Sequence, residues 1–152
     1  TVFTNELILS RFIFYFERSI FMTERLELYK CETCGNLVEV ILPSVGELVC
    51  CGHPMTLLIP EVSDDDMSEK HVPVFVETSK NGYEVRVGRA LHPMVPEHYI
   101  QFVETISKDK NNVELQYFTP QDIPIMVLKD KLGVEKARAF CNIHGLWEGY
   151  SA

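Results

Sequence analysis

The chain has 152 residues, 46% of them hydrophobic, with 9 Phe and 6 Tyr, enough apolar material for one ordinary domain or for a domain of about 100 residues with a small module attached. A net charge of -8 and a pI near 5.1 exclude a nucleic-acid partner, because phosphate binding needs clustered Lys and Arg. Five cysteines, an odd number that includes the adjacent Cys50 and Cys51, exclude a simple disulfide framework, and thiols of this kind persist best in a reducing compartment, so a cytoplasmic location is expected.

The chain opens on an apolar stretch containing Leu7, Ile8, Leu9, Phe12, Ile13, Phe14, Tyr15 and Phe16, which Arg11, Glu17 and Arg18 interrupt. No uninterrupted run approaches the roughly 20 residues of a membrane span, and the layout of a signal peptide is missing, so no membrane partner is expected. Met22-Thr23-Glu24 makes a natural module start. Residues 1–22 are therefore expected to be an N-terminal extension outside the native module; the sharper alternative is an amphipathic segment that lies on an interface or a partner.

Residues 23–60 read as short strands around a metal knuckle. Leu26 to Lys30 alternates before the first cysteines and Leu37 to Ile41 follows them. A segment of this size is below the roughly 40 residues that sustain a core, so it needs a staple. Cys31-x2-Cys34 and the adjacent Cys50-Cys51 supply one. Four thiolates enclose a tetrahedral ion, and their softness restricts it mainly to zinc or iron, which spacing does not separate. His53 follows closely but is not expected to ligate, since four sulfurs already complete the site.

Residues 61–68, which include Asp64, Asp65 and Asp66, lack apolar periodicity and are expected to form a linker. Beyond them, β-type runs recur at Val72–Glu77, Tyr83–Val87, Tyr99–Ile106, Val113–Phe118, Ile125–Leu128 and Ala137–Cys141. Lys80-Asn81-Gly82 is a hairpin signal, and Lys108 to Asn112 marks another turn. No segment holds helical periodicity over a dozen residues. The fold expected for residues 69–152 is an antiparallel β-sandwich, and the chain as a whole is expected to be mainly β.

This second part carries His71, His92, His98, Cys141 and His144 in three short clusters. Any one of these histidines alone would be assigned to the surface or to a satisfied core position. Together they exceed the four ligands of a structural zinc site. Five ligands leave one octahedral position open, an arrangement suited to catalysis, and mixed imidazole and thiolate ligation suits iron.

Tyr29-Lys30-Cys31-Glu32-Thr33-Cys34-Gly35-Asn36 with Leu48-Val49-Cys50-Cys51-Gly52 resembles the desulforedoxin-type iron domain. Glu69-Lys70-His71-Val72-Pro73-Val74, the run from Gly88 through His92-Pro93-Met94 to His98-Tyr99-Ile100, and Cys141-Asn142-x-His144-Gly145-x-Trp147 closely resemble superoxide reductases. Together they resemble the two-iron class called desulfoferrodoxin, over residues from about 23 to 149. The resemblance implies an immunoglobulin-like sandwich and two mononuclear non-haem irons. One is held by Cys31, Cys34, Cys50 and Cys51; the other by equatorial His71, His92, His98 and His144 with axial Cys141. It implies one-electron reduction of superoxide to hydrogen peroxide, an external rubredoxin-like electron donor and a homodimer. Glu69 matches the carboxylate that can take the sixth iron position in the oxidised state. In such a reaction Lys70 is the candidate to attract the anion and organise proton delivery, against the long-range repulsion of an acidic chain. Residues 1–21 have no counterpart in the resemblance, and His53 stands where the family often has an acidic residue. A non-catalytic iron electron carrier or redox sensor is the competing reading; a zinc-stabilised binding module is a third.

Overall fold

The computed structural model describes residues 22–62, 68–78, 82–128 and 133–151. The extension over residues 1–21, most of the expected linker (63–67) and the first two residues of the Lys80-Asn81-Gly82 turn lie outside the described residues. The chain divides into two compact units between Leu58 and Ile59.

The first unit is built from two-residue and three-residue strands, β1 (Leu28–Lys30), β2 (Leu37–Glu39), β3 (Val49–Cys50), β4 (His53–Pro54) and β5 (Thr56–Leu57). β2, β1 and β5 form one antiparallel sheet, and β3 pairs with β4. Leu28, Tyr29 and Val40 are its buried apolar side chains. So few residues cannot outweigh the ordering entropy of the segment, which is the physical case for a metal staple.

The second unit opens with a one-turn helix, α1 (Ser68–His71), followed by β6 (Pro73–Glu77), β7 (Tyr83–Val87), β8 (Ile100–Ser107), β9 (Val113–Tyr117), β10 (Ile125–Leu128), β11 (Val134–Cys141) and β12 (Gly145–Tyr150). The strands make two antiparallel sheets, ordered β10-β7-β6 and β12-β11-β8-β9. Val85, Val87, Met126 and Leu128 from the first sheet meet Ile100, Val103, Ala137 and Ala139 from the second in one buried cluster. This is the antiparallel sandwich expected from the sequence, and its seven strands among the described residues match the number of the immunoglobulin constant type. Glu61, expected within the linker, is tied to β12: its N–H donates to Leu146 O at 2.9 Å, and its carbonyl accepts from Glu148 N at 3.1 Å.

The turn expected at Lys108–Asn112 is held by Asp109, whose carboxylate accepts from Ser107 Oγ at 2.6 Å and from Asn111 N at 3.0 Å. These bonds hold the Asp109 carboxyl below its ordinary range, the Ser107 hydroxyl being the largest cause. Among the described residues no helix is long and apolar enough to cross a membrane.

Candidate metal centres

In the first unit the Cys31, Cys34, Cys50 and Cys51 sulfurs lie within 4.8 Å of one another. Cys34 Sγ is 3.6 Å from Cys50 Sγ, which is in turn 3.9 Å from Cys51 Sγ. A disulfide would need about 2.05 Å. Four metal–sulfur bonds of about 2.3 Å enclose a tetrahedron with edges of about 3.8 Å, so these spacings fit a tetrathiolate metal. The turns that deliver the sulfurs use left-handed backbone at Gly35 (φ 79), Cys51 (φ 53) and Gly52 (φ 78). Cys31 N donates to Asn36 O at 2.8 Å and Gly35 N to Cys31 O at 2.9 Å, which closes the first knuckle.

Electrostatics within the quartet are uneven. Hydrogen bonding from the Cys34 backbone, with further help from Thr33, lowers the Cys31 thiol to about 6. The Cys34 and Cys50 sulfurs push the Cys51 thiol up to about 12, and Cys34 and Cys31 raise Cys50. Crowded sulfurs resist a full set of negative charges unless a cation sits among them. His53 is exposed and lies across the β3–β4 pair from Cys50, outside the cysteine cluster.

In the second unit His71, His92, His98, Cys141 and His144 converge, their ligand-capable atoms all within 4.8 Å of one another. The five come from four local devices. His71 closes α1, His92 and His98 lie in the loop between β7 and β8, and Cys141 ends β11 at an irregularity in its pairing with β8. His144 lies in the turn to β12, and Gly145 completes that turn at φ 74.

The four imidazoles form a near-square ring. Neighbouring centroids are 4.6 Å (His71–His92), 4.5 Å (His92–His98), 4.8 Å (His98–His144) and 4.7 Å (His144–His71), and neighbouring planes stand at 77–85°. His71 and His98 face each other along a diagonal, 6.0 Å apart and 27° from parallel. His71 Nε2 is 3.1 Å from His92 Nε2 and 2.9 Å from His144 Nδ1. Adjacent nitrogens on an ion with bonds of about 2.1 Å would be about 3 Å apart. Cys141 Sγ lies 3.7 Å from His144 Nδ1 and is fully buried.

The ring nitrogens are prepared for a cation. His92 Nδ1 lies 2.6 Å from Pro93 O; a carbonyl can only accept, so Nδ1 carries the proton and Nε2 offers its lone pair to the centre. His98 Nε2 is buried without a hydrogen-bond partner, an orphan that a metal ion would satisfy. Burial, the largest cause, lowers His92 to about 4, with the neighbouring histidines adding to the fall. His98 is lowered by burial, then by His144 and Lys70. Both imidazoles therefore stay neutral at pH 7, the ligating form.

Glu69 and Lys70 are exposed on α1. Lys70 nevertheless acts electrostatically on His98. Their backbone is held by the turn after β7: Glu69 O accepts from Arg89 N at 2.8 Å, and Gly88 N donates to Val72 O at 3.0 Å. Gly88 is at φ +85, and a Cβ there would meet Lys70 O at 2.7 Å.

Several supporting residues received no role from sequence reasoning. Trp147 stacks on His71 at 4.9 Å, and its Nε1–H donates to His144 O at 3.1 Å. Met94 Sδ accepts from Ile100 N at 3.4 Å. The sequence signal for Trp147 was its position three residues after His144 as the single tryptophan of the chain.

Comparison with known proteins matches residues 23–58 to the family model described as the desulfoferrodoxin N-terminal domain and residues 63–150 to that described as desulfoferrodoxin. A desulfoferrodoxin of Syntrophotalea carbinolica is 48% identical over 126 residues, covering 83% of this chain and 97% of that protein. A superoxide reductase of Pyrococcus abyssi is 37% identical over 103 residues, covering 57% of this chain and 89% of its own length. Among solved structures, the superoxide reductase from Treponema pallidum superimposes with a TM-score of 0.62 at 26% identity, covering 83% of this chain and 99% of that one. With one family model covering more than half of its length and a relative alike almost end to end, the chain belongs to the desulfoferrodoxin family.

Proposed function

We propose that the protein is a superoxide reductase, an oxidoreductase that converts superoxide, one electron and two protons to hydrogen peroxide. The observation that carries this reading is the convergence of four imidazole nitrogens and one buried thiol on a single point, with His98 Nε2 left unpaired. Five donors exceed the four of a structural zinc site, and an iron held by them would have room for a further ligand such as substrate. His71, His92, His98, His144 and Cys141 would hold this iron, and Cys31, Cys34, Cys50 and Cys51 a second one. Iron supplies a one-electron couple at each centre when bound.

The protein's own residues then have three tasks. Buried His71, His92 and Cys141 and half-buried His98 and His144 provide the cradle, at the end of α1, in the β7–β8 loop, at the end of β11 and in the turn to β12. Lys70 offers an exposed ammonium that acts on His98; this charge counters the repulsion of a -8 chain for an anion and can organise proton delivery. Glu69 is the carboxylate assigned to the oxidised resting state. Its exposure, together with the fixed backbone around it, is compatible with that role.

The same reading takes residues 23–60 as the four-cysteine iron domain, 61–68 as a linker and 69–152 as the reductase domain. A rubredoxin-like protein serves as external donor, the assembly is a homodimer, and the setting is the cytoplasm, where reduced thiolates persist. These assignments rest on the desulfoferrodoxin resemblance and on the thiolate chemistry. The direct test mixes the reduced protein with superoxide and counts products. One peroxide per superoxide with no dioxygen is expected; half a dioxygen per superoxide would mean dismutation and would overturn the proposal.

A further inference from the structure

We propose that Asn142 is a positioning residue that fixes the His98 imidazole relative to the Cys141 sulfur, an inference that rests on the reading of the histidine centre as an iron site. The side chain of Asn142 reaches across to residues more than forty positions earlier. Its Oδ1 accepts from Tyr99 N at 2.9 Å and its Nδ2 donates to Glu97 O at 3.0 Å. Its backbone N–H donates to Tyr99 O at 3.1 Å. Glu97 and Tyr99 are the immediate neighbours of His98, so one side chain grips the His98 segment from both sides. Asn142 itself is joined covalently to Cys141.

The two side-chain bonds run in opposite directions, one accepting and one donating. A carboxamide satisfies both at once; a carboxylate keeps the acceptor and loses the donor. The far side of the His98 segment is closed by Val95, through His98 N to Val95 O at 2.9 Å and Val95 N to His98 O at 3.1 Å. The loop is thus a small rigid frame, and Asn142 attaches that frame to the cysteine turn.

His98 depends on this frame more than its partners do on theirs. The His92 ring is anchored through Nδ1 on Pro93 O. The His71 ring is backed by Trp147. The His98 ring contacts the other imidazoles, and its buried Nε2 has no partner. Asn142 is exposed, so its bonds contribute little to folding stability. Their consequence is where the ligand atom points.

The four-cysteine centre of the same chain provides an internal control. Iron-loaded full-length protein, wild type, Asn142→Ala and Asn142→Asp, would be mixed with a chelator, and the two centres followed separately by their visible absorption. Melting of the metal-free chains would be measured in parallel. Asn142→Ala is expected to lose iron from the histidine centre about 10–100-fold faster, the usual effect of removing an outer partner of a ligand. Asn142→Asp is expected to be intermediate, and the cysteine centre and metal-free melting unchanged. Wild-type retention in Asn142→Ala, or equal acceleration at both centres, would overturn the proposal while leaving the iron-site reading in place. Should Asn142→Ala not fold, wild-type retention in Asn142→Asp overturns it instead. A wild-type chain that loads iron only at the cysteines would remove the iron-site reading and this inference together.

Discussion

The indole of Trp147 lies against the imidazole of His71, ring centroids 4.9 Å apart and planes 26° from parallel. Because its Nε1–H also donates to His144 O, one buried side chain fixes a ligand on α1 and another in the β11–β12 turn. Trp147→Phe should keep the stacking and lose the bond, at about 1 kcal/mol. Trp147→Ala should cost about 3–5 kcal/mol through the cavity it leaves. Denaturant unfolding of the metal-free protein separates the two, and equal costs would mean that the ring does not pack as described.

Lys70 is an exposed cation that acts electrostatically on His98 of the histidine centre. Lys70→Ala should slow superoxide consumption by about tenfold at low ionic strength and flatten its salt dependence, since steering by a charge is screened over about 10 Å at 0.1 M salt. Pulse radiolysis at two salt concentrations reads both effects. An unchanged rate and salt response would remove Lys70 from the mechanism.

Gly88 permits the close approach of the β7 turn to α1. A Cβ there would sit 2.4 Å from Ala90 O and 2.7 Å from Lys70 O, on backbone already at φ +85. Both neighbours are backbone atoms, which cannot swing aside. Gly88→Ala should destabilise the second unit by about 2–4 kcal/mol and weaken metal retention at His71. Thermal unfolding with and without iron tests this.

The metal-free protein should lose stability as pH falls from about 6.5 to about 4. In that window an unfolded His92 is already protonated, whereas the folded one, lowered to about 4 by burial and by its histidine neighbours, is not. The unfolded state then binds more protons, so acid favours it. The stabilisation is fully present above 6.5, is lost as pH approaches 4, and amounts to roughly 3 kcal/mol. His98, shifted in the same direction, adds to it. A pH series of denaturant melts on His92→Gln protein should show a shallower fall.

Much of this architecture was legible in the sequence because its signals are local. Tyr83–Val87 and Ile125–Leu128 alternate or run apolar between turn residues, and the structure places β7 and β10 over those residues. β12 was missed: Gly145 and Gly149 interrupt its pattern, and Glu148 is a buried charge that only the folded sheet accounts for, through Lys136 at 2.6 Å. The start of β11 at Val134 was obscured in the same way by Glu135 and Lys136, while Arg138, inside the expected run, pairs with buried Glu104. Cys and His spacing pointed to both candidate ligand sets, which the fold brings together, since few roles other than metal binding demand those residues in clusters. The contacts of Trp147 with His71 and of Asn142 with Glu97 and Tyr99 join residues far apart in the chain, so no spacing announces them.

The decisive measurement is the metal content and visible spectrum of the purified protein before and after a pulse of superoxide. Two irons per chain, with a ferric absorption that appears on superoxide addition and disappears on reduction, is the expected result. Zinc alone, with no spectral response even after anaerobic reconstitution with iron, would contradict the assignment of a superoxide-reducing centre to His71, His92, His98, Cys141 and His144.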